Sequence, residues 1–161
     1  MLRTIAVMAL VTFAAYAILA PVAMGADVSR AEYVEQSEPI CKVSTLASEK
    51  SLKGVRKDVR EGRLKLAGGK FKRAAKALSR ATLQLEKLPR PSADESRLAR
   101  WLVHLNGETK LLEKVAARLK QGSTKDLGRY VVELQHKANV ANNIVLTFGF
   151  EYCLLQPARY L

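Results

Sequence analysis

The chain has 161 residues, 27 Lys and Arg against 15 Asp and Glu, a net charge of +12, two cysteines and two histidines. That length suits one domain with its own hydrophobic core, and no cysteine or histidine stands near enough to either thiol to give the ligand spacing of a structural zinc site. The basic balance turns attention to acidic partners such as phosphates or carboxylates.

The first segment, MLRTIAVMALVTFAAYAILAPVAMGA, sets one arginine before an apolar run from Ile5 to Ala20, followed by Pro21 and small residues. This is the layout of an export signal, with cleavage expected after Gly25 or Ala26. The run approaches the ~20 residues that span a bilayer, so an uncleaved anchor is the alternative. Residues 1–26 are therefore read as a signal peptide and 27–161 as a single helical domain outside the cytoplasm, secreted or associated with the cell envelope. Arg3 is the only charged residue of the leader, so 26 bases face 15 acids beyond it, an excess of +11.

Four helices are expected in the exported part. The first opens at Ser29 with Glu32 in the S-x-x-E spacing, where a hydroxyl and a carboxylate satisfy free amides at a helix start. Its apolar seam is weak, because Tyr33, Ile40, Leu52, Val55 and Val59 share it with Ser37, Ser44, Ser48 and Ser51. Pro39 disfavours helix at Glu38, so a kink or a restarted helix is expected there. After a break at Gly62, the second helix repeats Phe71, Ala74/Ala75, Leu78, Ala81/Thr82, Leu85 and Leu88 at helical spacing, and Gly68-Gly69 can interrupt it near its beginning. Pro89-Arg-Pro91 ends it.

The third helix is expected to be capped by Ser92 with Glu95, with Asp94 and Glu95 facing the helix dipole. Its seam is Leu98, Trp101/Leu102, Leu105, Leu112, Val115/Ala116 and Leu119. A break at Gly122 precedes a fourth helix capped by Ser123 or Thr124, with Asp126 at its start and Leu127, Tyr130/Val131, Leu134, Ala138, Ala141, Ile144/Val145 and Phe148 along its seam. Short connections between long helices favour antiparallel neighbours. The expected fold is all-α, an antiparallel up-down-up-down four-helix bundle.

In that order the beginning of the first helix and the end of the fourth share one end of the bundle. Cys41, in the stretch EPICK, can then meet Cys153, in FGFEYC. A disulfide is expected in an oxidising compartment; two buried thiols or a bond between chains remain the alternatives. Gly149 is expected to end or bend the last helix, so that Phe148, Phe150 and Tyr152 pack around the bond.

Charge is concentrated between Arg63 and Leu88, where eight bases meet one acid, Glu86. At ~100° per residue, Lys65, Lys72, Arg73, Lys76, Arg80 and Lys87 share one arc opposite the Phe71/Leu78/Leu85 seam, with Leu83 exposed among them. The anion-binding candidates are Lys72, Arg73, Lys76, Arg80 and Lys87, and the bland reading is a solubilising face. No aromatic residue is interleaved for stacking on bases, so nucleic acid is not an expected partner.

No catalytic residue and no cofactor are expected. His104 and His136 flank the third and fourth seams, where a bis-histidine haem or metal site can form in a bundle, but the haem-attachment C-x-x-C-H is absent and all three methionines lie in the leader. Asn139, Asn142 and Asn143 are costly to helix propensity and read better as bridges between helices than as ligand contacts.

The stretches EPICK, PRPSADESRLARWL and FGFEYC together resemble a set of small exported actinobacterial proteins of unassigned function. The resemblance covers nearly the whole chain beyond the leader; it implies export and a helical core and brings no activity with it. The functional expectation is a non-enzymatic exported protein that binds an anionic envelope polymer, lipid headgroups or a partner protein through its basic helix. The alternative is a carrier or enzyme with a small-molecule site in the bundle core.

Overall fold

A computed structural model describes residues 27–159. The expected signal segment, residues 1–26, lies outside them. The described residues form four long α-helices and one short one: α1 (Arg30–Leu52), α2 (Val55–Arg60), α3 (Leu64–Leu85), α4 (Glu95–Lys120) and α5 (Leu127–Ile144). No strand occurs among the described residues, and none of their helices is long and apolar enough to cross a membrane.

Helix α1 starts as its sequence dictates. The Ser29 hydroxyl accepts from the Glu32 amide and the Glu32 carboxylate accepts from the Ser29 amide, closing the capping box. Pro39 does not restart the helix, which runs unbroken through it. The interior proline removes one backbone hydrogen bond, on the side of the helix where Glu35 and Pro39 are exposed. The break comes later, at Gly54 (φ 74°), which separates Leu52 from α2. Leu52 and Val55 are both buried, so one apolar seam bends around the glycine.

Gly68-Gly69 does not interrupt α3 either. Gly68 is where α3 and α4 touch backbone to backbone: a Cβ there would sit 2.8 Å from the Ala116 carbonyl oxygen and 3.0 Å from the Lys120 amide nitrogen. The start of α4 differs from the expected capping box. Ser92–Asp94 forms a 310 turn, Asp94 is the N-cap residue without capping through its side chain, and Ser92 instead bonds Asp27 through its amide and hydroxyl. Asp94 is buried and takes a bidentate fork from Arg30, at 2.8 and 2.9 Å, so its carboxylate ties α4 to the beginning of α1 rather than facing only its own dipole. At α5 neither Ser123 nor Thr124 is the N-cap; Asp126 is, in the left-handed region (φ 66°).

Helix α3 packs on both α1 and α4, and α4 packs on α5, whereas α1 and α5 barely touch. The space between them is filled by the segment that follows α5. After Ile144 the chain makes a 310 turn (Leu146–Phe148), reverses at Gly149 (φ 72°) and returns. The Glu38 carboxylate accepts from the Glu151 and Tyr152 amides, and the Thr45 hydroxyl donates to the Tyr152 carbonyl. On the other side, the Asn142 side chain both accepts from the Leu155 amide and donates to its carbonyl, each at 2.8 Å. This amide is thus a bridge, as expected, but to the return segment. Asn139 bonds Gln135 on its own helix, and Asn143 is exposed.

Cys41 and Cys153 are disulfide-bonded, with Cα atoms 4.9 Å apart and a sequence separation of 112. Cys153 belongs to the return segment, beyond α5, so the bond clasps that segment to the middle of α1. The aromatic ending packs around it. Trp101, Phe150 and Phe148 stack in series at 5.5 and 5.4 Å, Tyr33 meets Phe148 edge-on, and the Arg30 guanidinium lies 4.9 Å above Phe148.

Two substitutions test the close approach of α3 and α4. Gly68→Ala is expected to lower stability by about 1–3 kcal/mol, because the added methyl group meets backbone that cannot turn aside. Gly69→Ala, whose new methyl group would find only the Arg73 side chain at 3.7 Å, is expected to raise it by roughly 0.5–1 kcal/mol through helix propensity. Urea unfolding of both variants checks the opposite signs.

The clasp closes a long loop, so its removal should cost on the order of 2–5 kcal/mol. Denaturant unfolding of the oxidised protein and of the Cys41→Ser/Cys153→Ser double variant measures it.

Candidate functional site

On α3, Lys65, Lys72, Arg73, Lys76 and Arg80 are all exposed, and none is ion-paired with a described residue. Lys87 is exposed too, but α3 ends at Leu85, so it stands in the turn that follows the helix. The continuous helix through Gly68-Gly69 keeps Lys65 on the same element as the rest. Leu83 is 55% exposed among the bases and Leu66 is exposed beside them, which makes the face basic with apolar interruptions.

Two other bases of this region are spent internally. Buried Asp58 on α2 holds Lys70 Nζ and an Arg63 Nη, both at 2.5 Å, and Lys70 also donates to the Lys53 carbonyl. Lys70 first and Arg63 second hold the Asp58 carboxyl below the usual carboxylate range. The pair fixes α2 and the beginning of α3, and the remaining bases face solvent.

A second feature lies inside the bundle. The apolar core is divided into two clusters, one around Leu52, Phe71, Leu112, Val115 and Leu134, the other around Tyr33, Leu85, Trp101, Leu105 and Phe150. Between them the helices carry polar or small residues: Ser44 on α1, Thr82 on α3, Glu108 and Thr109 on α4, Ala138 on α5. Thr82 and Thr109 each donate to the carbonyl four residues back and so satisfy themselves. Glu108 does not. It is 3% exposed and its Oε2 has no hydrogen-bond partner among the described residues. Burial pushes its carboxyl up to about 8, against the pull of Lys137 and with a small further push from Glu133.

Glu108 lines a cavity of about 80 Å³ between α1, α3, α4 and the return segment. Ser44, Thr45 and Ser48 form its α1 wall, Leu52, Ala74, Leu78 and Leu112 its apolar floor, and residues from Glu151 to Arg159 its cover. The sequence reading passed from Leu105 directly to Leu112 and missed Glu108. The signal was present: those leucines leave one seam turn, at 108 and 109, occupied by Glu and Thr. The serines facing it were noticed only as a weak seam.

The histidines do not converge on this cavity. His136 is exposed, His104 is half-buried, and neither lines it. Among the described residues no group of three or more His, Cys, Asp or Glu is placed to hold a metal ion. Compared with protein-family models, with curated proteins and with solved structures, the chain gives no match.

The titration of Glu108 gives a signed expectation. Its folded-state pKa is raised above the ordinary carboxylate value, so the folded state binds its proton more tightly than the unfolded state does. Stability is therefore undiminished below pH ~4.5 and falls as pH rises toward about 8, where the loss levels off. Glu108→Gln should flatten this slope. Urea titrations of both proteins at pH 5, 7 and 9 check it, with the largest gain for the variant at pH 9.

Proposed function

We propose that this is an exported, non-enzymatic helical protein that binds an acidic component of the cell envelope through the outer face of α3. The observation that carries this reading is the division of the bases: Arg63 and Lys70 are engaged by Asp58, and Arg63 also by Glu61, while five bases of α3 stay exposed and unpaired among the described residues. Such a row attracts phosphates or carboxylates, and the attraction weakens with ionic strength. The resemblance to small exported actinobacterial proteins belongs to the same proposal, as does the signal peptide.

The proposed helix order is up-down-up-down. Four proximities support it: Gly68 lies beside Ala116 and Lys120, Glu86 bonds Asn106, Gly107 faces Lys137, and Arg97 bonds Thr147. The disulfide fits an oxidising location outside the cytoplasm. The basic face is then carried by a scaffold that needs no reducing environment.

The test is a charge reversal that leaves the core untouched. Lys72→Glu, Arg73→Glu, Lys76→Glu and Arg80→Glu are combined, and binding to phosphatidylglycerol vesicles and to an anionic polymer is measured by co-sedimentation at rising salt. The parent should bind at low salt and release as salt increases; the variant should lose at least tenfold in affinity while keeping the helical circular dichroism of the parent. Equal binding by the two proteins would reduce the face to a solubilising one.

A further inference from the structure

At the cavity beside Glu108 the charge balance runs the other way. The exported part has an excess of +11. The charged residues lining the cavity are Glu49, Glu108, Glu151 and Arg159, and Arg159 is already engaged by Glu49 at 3.1 Å. The other charged groups near Glu108 come from α5, where Lys137 and Glu133 pair with each other at 3.8 Å. The wall contributed by α3, Ala74 and Leu78, carries no charge. A nearly fully buried carboxyl group therefore borders an unfilled space, and the cation near it, Lys137, is shared with Glu133.

Three properties of that space define what it takes. Its volume of about 80 Å³ holds roughly half a dozen non-hydrogen atoms, since a water needs about 10–15 Å³ of such volume. Its polar side is made by the Glu108 carboxyl group and the Ser44 and Ser48 hydroxyls, all able to accept hydrogen bonds. Its other side is aliphatic, from Leu52, Leu78 and Leu112. A primary ammonium group has three donors and no acceptor, and a short alkyl chain matches the leucines.

We propose that this cavity is a binding site for a small primary ammonium compound, with its NH3+ group on Glu108 and the α1 serines and its alkyl part against the leucine floor. A bound ammonium supplies the counter-charge that favours the ionised form of this buried carboxyl group. Anionic ligands are repelled by Glu151 and by ionised Glu108. The return segment forms the cover, so entry is along the side where it leaves Glu151 and Arg159 exposed. The site is separate from the basic face of α3, and neither reading depends on the other.

The experiment is calorimetric titration of the disulfide-intact exported chain with n-butylammonium chloride at pH 7 and pH 9, at constant ionic strength, with n-butanol as the uncharged control. One-to-one saturable binding is expected with the ammonium and none with the alcohol. Affinity should rise about tenfold from pH 7 to pH 9, as the ionised fraction of a carboxyl titrating near 8 increases. Glu108→Gln should abolish binding, and Ser48→Leu, which fills the cavity without changing charge, should do the same. No saturable binding by the folded parent, undiminished binding by either variant, or equal binding of butanol would overturn the proposal.

Discussion

The fold depends on covering the side of α1 that has no helix partner. Serines at 37, 44 and 48 give α1 a seam too small to close the bundle against α5, and those two helices barely meet. The chain solves this by doubling back at Gly149 and laying residues 150–159 into the gap. That segment has no regular backbone ladder of its own, so its amides and carbonyls must be satisfied by side chains. Glu38, Thr45 and Asn142 do so, and the Cys41–Cys153 bond fixes the segment at the level of those contacts. Leu155, half-buried, packs against both apolar clusters at once and joins them across the polar layer.

This arrangement sorts charge by side. Four acids of the chain stand at joints: Asp58 between α2 and α3, Asp94 between α1 and α4, Glu38 and Glu49 between α1 and the return segment. The outer face of α3 has no such joint to make. Its bases therefore keep their charge for solvent or for whatever acidic surface meets them, while the acid-lined cavity opens beside the return segment.

Much of the helical pattern was legible because it rests on local chemistry. The seams of α3, α4 and α5 follow the leucine and alanine spacing, and the breaks at Gly62 and Gly122 carry the positive φ that glycine allows. The Ser29 capping box formed as its spacing implies. Ser92 spelled the same motif and did not form it, because Asp27 and Arg30, distant in sequence, compete for the atoms of that turn. Of the two outcomes expected at Pro39, the restarted helix does not occur: α1 is continuous through it, with Tyr33, Ser37 and Cys41 buried on its inner face. The cysteine pairing was expected from the sequence, whereas the return segment was not, since its partners are single polar side chains scattered over α1 and α5. The basic face was readable from periodicity alone; the cavity was not, because it arises from what four elements fail to fill.

The polar layer is what separates a structural account of this core from a functional one. A leucine at 108 would continue the seam from Leu105 to Leu112, fill the space and add apolar burial worth about 1.5–3 kcal/mol. The glutamate instead adds a desolvation penalty that grows as the carboxyl ionises, and it is surrounded by hydroxyls too short to fill the gap. Thr82 and Thr109, at neighbouring positions, show how this layer can be polar at little cost, each bonding its own helix. Glu108 is the member that no contact within the described fold explains, and a cation entering beside it would convert the same carboxylate from a defect of the core into the anchor of a complex. Binding that pairs a buried charge stabilises the folded state by the logarithm of ligand concentration over dissociation constant, so the stability of this bundle would report the occupancy of its own cavity.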